Sequence, residues 1–149
     1  MRAVLQRVTF ARVTIGAKVV GRIDRGLVVL VGISKTDGPS DVLYLVKKVC
    51  GLRIFQDREG KMNRSLKESG GSILVVSQST VYGDCRKGRR PSYDVAAAPE
   101  VARKVYEDFV RSLRSTGVPV QTGEFQEMMQ VEIINDGPVT LLLESLRTF

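Results

Sequence analysis

Gly26-Leu27-Val28-Val29-Leu30-Val31-Gly32-Ile33 is a continuous apolar run with glycine near both ends. Its valines are β-branched and sit better on pleated backbone than in a helix, and the run is short for a helix. It reads as a buried strand. Upstream, Val4, Gln6 and Val8 alternate with Leu5 and Arg7. Val13 to Ile15 and Lys18 to Ile23 then flank a turn at Gly16-Ala17, the pattern of a hairpin.

Downstream, Pro39-Ser40-Asp41 opens a helix, with Val42, Leu45, Val46 and Val49 on one face and Gly51 at its end. Leu52 to Phe55 returns to extended structure. Asp57 to Gly71 is polar and glycine-rich and reads as a surface loop. Ile73 to Gln78 is a second buried strand, and Tyr82 to Ala98 is irregular. A second helix starts near Pro99, carries Val101, Val105, Phe109 and Leu113, and is capped by Gly117. Met129 to Ile134 and Val139 to Leu146 read as strands around Asn135-Asp136-Gly137-Pro138. The sum is a single α+β domain, 1–149, in which two helices cover a β-rich, curled or barrel-like sheet.

Composition narrows the chemistry. The chain has 149 residues, 43% apolar and 26% charged, ordinary for a globular protein with a real core. No apolar run approaches a membrane span and no signal core opens the chain, so a cytoplasmic protein without membrane contact is expected. The net charge of +7 favours a polyanionic partner. Cys50 reads as a helix core residue and Cys85 as a loop thiol, with no disulfide between them. They form no Cys-x-x-Cys pair, and no histidine completes a zinc site, so neither metal nor cofactor is expected. Without histidine there is no Ser-His-Asp or Cys-His site. An enzyme built on this chain works with carboxylates, hydroxyls, backbone groups or the substrate itself.

Three segments concentrate polar chemistry. Ser77-Gln78-Ser79-Thr80 follows a buried strand and puts three hydroxyls and an amide at a fixed exit from the core. It is either a set of hydrogen-bond groups for a sugar or carbonyl oxygen, or a strand end that satisfies its own turn. In Asn135-Asp136-Gly137-Pro138-Val139-Thr140, Asp-Gly is a hairpin signal, but a proline directly after it removes a backbone donor. A Gly-Pro bond can be cis, with two carbonyls pointing the same way to accept from an ammonium. Arg86-Lys87-Gly88-Arg89-Arg90 is either a phosphate patch or a solvated loop, and Tyr82 and Tyr93 beside it either stack on a base or belong to the core.

Met1-Arg2-Ala3-Val4-Leu5-Gln6-Arg7-Val8, Leu52-Arg53-Ile54-Phe55, Gly60-Lys61-Met62-Asn63, Leu74-Val75-Val76-Ser77-Gln78, Lys87-Gly88-Arg89-Arg90-Pro91-Ser92 and Asn135 to Thr140 occur in that order. Together they resemble the D-aminoacyl-tRNA deacylase family over the whole chain. The resemblance implies a homodimer of barrel-like subunits with active sites shared at the interface. Ser77, Gln78 and Thr80 match the family motif at the pocket for the terminal 3' adenosine and the scissile ester. Ser79 stands where the family usually has phenylalanine. Gly137 and Pro138 match a Gly-cis-Pro motif that reaches into the partner's pocket. Arg7 matches an arginine near that motif, and Met129 a residue near the pocket.

The implied reaction is hydrolysis of the ester of D-aminoacyl-tRNA, and of glycyl-tRNA mischarged on tRNA-Ala. Two roles stay open for Thr80: nucleophile, or oxyanion donor to an attack assisted by the terminal ribose hydroxyl. Rejection of L-amino acids would come from backbone at Gly137-Pro138. Three competing readings are a non-catalytic RNA-binding protein on the same scaffold, an L-alanyl-tRNA deacylase, which also has a small residue at the place of Ser79, and a small structural β domain.

Overall fold

A computed structural model describes the chain from Met1 to Phe149. In chain order its strands are β1 (Arg2–Ile15), β2 (Lys18–Ile23), β3 (Gly26–Gly32), β4 (Phe55–Gln56), β5 (Met62–Arg64), β6 (Ser72–Ser77), β7 (Val120–Thr122) and β8 (Gln130–Glu144). The helices are α1 (Pro39–Gly51), α2 (Leu66–Ser69) and α3 (Pro99–Ser115).

β1 is long enough to serve three neighbours. β2 and β3 lie end to end along one edge, Ala11 facing Ile23 and Arg2 facing Gly32. β8 runs antiparallel along the other edge. β3 pairs β6 in parallel, Leu27 with Ile73 through Val31 with Ser77, and β6 pairs β7. β2 then folds over toward β7. A Cβ on Gly21 would lie 2.4 Å from the Thr122 carbonyl oxygen, so only glycine permits this closure of the curled sheet.

The apolar run in β3 has no polar side because both faces are covered. Leu27, Val29 and Val31 face the helices and pack with Ala3, Leu5, Ile73, Val75, Leu45, Phe109 and Leu113. Val28 points the other way, into a second cluster with Val8, Val13, Leu74 and Val76 inside the curl. Each such side chain contributes roughly 1.5–3 kcal/mol of burial.

α1 and α3 match their expected positions, and Gly117 takes φ +87 directly after the α3 cap at Thr116. Cys50 is half-buried beside Thr116, and Cys85 is an exposed free thiol. No helix is long and apolar enough to cross a membrane.

Two expectations need correction. The segment from Asp57 to Gly71 is not a plain loop. β5 within it pairs back onto β4, and α2 makes one turn behind a reciprocal cap, Ser65 N–H to Glu68 Oε1 at 3.0 Å and Glu68 N–H to Ser65 Oγ at 3.3 Å. The Ser-x-x-Glu signal was present in the sequence.

Nor do Asn135 to Pro138 form a hairpin turn. β8 continues through them in one direction, its two halves both pairing β1: Val8 faces Asn135 and Gln6 faces Thr140. The residues between Asn135 and Thr140 therefore bulge out opposite the single residue Arg7. A hairpin would have reversed the chain away from β1, whereas the apolar alternation on both sides of the bulge keeps it in register.

Candidate functional site

β6 carries Ser77 to the end of the sheet, in line with Val29 and Val31 partners on the helix-facing side. Gln78 N–H still donates to the Val31 carbonyl at 2.8 Å, and the chain then enters one tight turn, Ser79–Tyr82. Val81 N–H reaches the Gln78 carbonyl at 3.3 Å and Gly83 N–H the Thr80 carbonyl at 2.9 Å. Tyr82 anchors this turn. Its ring is buried, the Arg2 guanidinium lies 4.7 Å from its centre, and burial with nearby Asp37 pushes the phenol up to about 12. Tyr82 is therefore a core residue, while Tyr93 is half-exposed. Gly32 makes room for the turn: a Cβ there would meet Val81 Cγ2 at 2.4 Å and the Tyr82 ring at 3.1 Å.

Ser77 and Ser79 line a cleft of about 160 Å³ with Ile33, Ala97, Pro99, Ala102, Phe125 and Gln126. Ala97 N–H donates to the Ile33 carbonyl at 2.9 Å, which holds the loop before α3 against the sheet as one wall. Phe125 forms another. Its ring lies 5.7 Å from that of Tyr106, with the Arg103 guanidinium 4.7 Å above it. Thus the cleft has an aromatic wall although Ser79 replaces the expected phenylalanine. Sequence reasoning missed Phe125 and Gln126, whose only signal was one aromatic in a short polar stretch. Thr80 is exposed at the rim, and Gln78 is half-buried.

The other polar segment is built by β1 and β8. Arg7 is 5% exposed, so its charge needs partners. Its Nη1 donates to the Ile54 carbonyl at 2.6 Å and its Nε to the Asp136 carbonyl at 3.0 Å, with the Asp136 carboxylate 3.5 Å away. Asn135 closes the bulge from the other side. Its side-chain amide accepts from Val139 N–H at 2.7 Å and donates to the Val139 carbonyl at 3.1 Å, replacing ladder bonds. The Gly137-Pro138 bond is cis, Gly137 has φ +140, and both residues are exposed.

These two segments do not meet within one chain. Arg7 and Asp136 line one cleft and Ser77 and Ser79 another, and β1 and β3 stand between β8 and β6 in the sheet. Met129 lines neither; it packs beside Gly123 against the inner cluster. A cavity of about 800 Å³ between α1 and α3 contains none of the expected site residues. No three of the Cys, Asp and Glu side chains gather as metal ligands.

Known proteins match this chain along its whole length. The family model for D-Tyr-tRNA(Tyr) deacylase matches residues 4–144. The chain is 56% identical to a D-aminoacyl-tRNA deacylase of Symbiobacterium thermophilum over 149 residues, covering 100% of this chain and 99% of the relative. It is 55% identical to the protein of the same description from Desulforudis audaxviator, with 100% of both chains covered. Among solved structures, a c-Myc DNA Unwinding Element Binding Protein superposes with a TM-score of 0.92 at 40% identity, over 97% of this chain and 98% of that one.

Proposed function

This chain belongs to the D-Tyr-tRNA(Tyr) deacylase family, and from that premise we propose that it hydrolyses the ester bond of D-aminoacyl-tRNA, releasing the D-amino acid and tRNA. The observation that carries this reading is the match to curated D-aminoacyl-tRNA deacylases across the full chain.

In this reading the cleft at Ser77 and Ser79 receives the 3' terminal adenosine and its aminoacyl ester. Phe125 supplies an apolar wall, and the hydroxyls and amide of Ser77, Gln78, Ser79 and Thr80 supply hydrogen bonds to sugar and carbonyl oxygens. The ester is already activated, so positioning and oxyanion stabilisation do most of the work. The chain has no histidine to activate Thr80, and its role is that of oxyanion donor beside the neighbouring backbone amides. The terminal ribose hydroxyl of the tRNA, or a water it orients, assists the attack.

Chirality selection falls to the bulge at Gly137-Pro138, acting in the cleft of a second copy. What supports a shared site is the separation of the two segments in one subunit. The outer edge of β8 also has no strand partner, and Ile134 and Leu142 on it are 49% and 60% exposed. A homodimer joined there covers this apolar edge and carries each bulge toward its neighbour. Backbone groups at Gly137 and Pro138 then hold the α-ammonium, so an L side chain points into the bulge and a D side chain points out. Glycyl-tRNA mischarged on tRNA-Ala is also cleaved, because glycine has no side chain to reject.

The test is deacylation of matched D-Tyr-tRNA and L-Tyr-tRNA, and of L-Ala-tRNA, with chelator present. Loss of the D ester alone is expected. Loss of neither, with tRNA still bound, would leave an RNA-binding protein; loss of L-Ala-tRNA alone would make it an L-alanyl-tRNA deacylase.

A further inference from the structure

The basic run Arg86-Lys87-Gly88-Arg89-Arg90 is not used by the ester site, yet it is built onto it. Asp84 N–H donates to the Ser92 carbonyl at 2.8 Å and Ser92 N–H to the Asp84 carbonyl at 2.9 Å, which ties the two ends of the loop together. Gly88 turns the tip with φ +66. Below the tie, Gly83 is wedged against the turn that carries Thr80. A Cβ there would come within 3.1 Å of both the Thr80 carbonyl oxygen and the Tyr93 ring. The loop is thus held at a fixed place beside the cleft rim.

Its charges divide into two kinds. Arg86 is neutralised internally, with Nε and Nη2 on the two oxygens of Asp84 at 2.9 and 2.7 Å and its own N–H on the same carboxylate at 3.0 Å. Lys87, Arg89 and Arg90 are exposed and make no ion pair. No acidic residue lies between Cys85 and Tyr93 to offset them. Leaving three unpaired cations together costs stability through mutual repulsion, and a polyanion relieves that cost. From the tie to the tip the loop extends about four residues, roughly 13 Å, the distance over which a nucleic acid strand places several phosphates.

We infer that Lys87, Arg89 and Arg90 grip the phosphate backbone of the tRNA acceptor end just behind the nucleoside in the cleft. The inference rests on the reading of the cleft as the aminoacyl-ester site. The loop supplies affinity for polynucleotide and no base readout, while Asp84 and Arg86 act as its internal brace.

The experiment compares the wild-type chain with the triple variant Lys87→Gln, Arg89→Gln, Arg90→Gln. Two substrates are used, D-Tyr-tRNA and D-tyrosyl-adenosine, the second carrying the ester but no phosphates. On D-Tyr-tRNA, KM should rise about tenfold or more with kcat little changed, and the slope of log KM against log salt should fall by roughly 2–3. On D-tyrosyl-adenosine the two proteins should be equal. The like-charged variant Arg89→Lys, Arg90→Lys should keep the wild-type salt slope. Equal losses on both substrates, or an unchanged KM and slope for tRNA, would overturn the inference. Filter binding of uncharged tRNA separates the two levels. If the wild-type chain cleaves neither ester, the functional reading fails, while weakened binding by the triple variant alone still supports the loop and equal binding overturns it.

Discussion

The Arg7 guanidinium on β1 and the Asp136 main-chain carbonyl in β8 are hydrogen-bonded at 3.0 Å, across the gap where the ladder between the two strands is interrupted. The same guanidinium holds the Ile54 carbonyl at 2.6 Å, so one buried charge ties the bulge to the segment before β4. Arg7→Ala leaves both carbonyls short of a donor, and a loss of about 2–4 kcal/mol is expected from the urea midpoint. Arg7→Lys keeps the charge but cannot reach both carbonyls with a fixed fork, so it should recover only part of that loss. A wild-type midpoint for Arg7→Ala would mean that Asn135 holds the bulge without help.

Gly32 decides where the turn at Ser79 and Thr80 can sit. A Cβ at this position would press on Val81 Cγ2 at 2.4 Å and on the Gln78 carbonyl oxygen at 3.1 Å. Gly32→Ala should therefore push the turn off the sheet. The expected result is a loss of about 1–3 kcal/mol from overpacking and a much larger fractional loss of deacylation than of folded protein. Circular dichroism and single-turnover assays on the same sample check this. Activity that falls only in step with the folded fraction would show that the turn position is uncritical.

How far the sequence leads depends on the kind of signal. The buried strands β3 and β6, both long helices and the Gly117 cap follow from apolar periodicity and glycine placement, which are local, whereas β7 was not read from the sequence. The bulge in β8 does not. Asp136-Gly137 looks like a hairpin, and only the pairing of Val8 with Asn135 and Gln6 with Thr140, a tertiary fact, makes it an interruption of one strand. Phe125 is likewise invisible beforehand, because its place in the cleft depends on the packing of Tyr106 from α3. Ser77 and Ser79 were legible because they continue a buried strand whose end must leave the core.

Thr80 is exposed and the chain has no imidazole, so its hydroxyl is a poor nucleophile at neutral pH. If it only donates a hydrogen bond in the transition state, Thr80→Ala should lower kcat by about 10²–10³-fold, and Thr80→Ser should restore most of that. No acyl-enzyme should accumulate on Thr80 in quenched reactions examined by mass spectrometry. A covalent aminoacyl group there, or complete loss of turnover in Thr80→Ala, would assign it the nucleophile's role instead.

With no histidine, pH sensitivity of stability should appear at the extremes. Burial pushes the Glu144 carboxyl upward, but hydrogen bonds from Thr148 and Arg2 outweigh it and hold the group below its ordinary range. A depressed carboxylate contributes stability that is present above its unfolded value of about 4.3 and is lost as pH falls through the folded one. At the other end, burial pushes Tyr106 up to about 12, its hydroxyl donating to the Val75 carbonyl at 3.5 Å. A raised phenol contributes fully below its unfolded value of about 10, and that contribution is lost as pH rises toward the folded value. The Tm should thus form a plateau from about pH 5 to about 10 and fall on both sides. Glu144→Gln should make the acid limb less steep and Tyr106→Phe the alkaline limb, the latter by on the order of 2 kcal/mol between pH 9 and 12. Thermal melts across that range check both, and an alkaline limb as steep in Tyr106→Phe as in the parent would assign it to Tyr82, whose phenol is likewise pushed up to about 12.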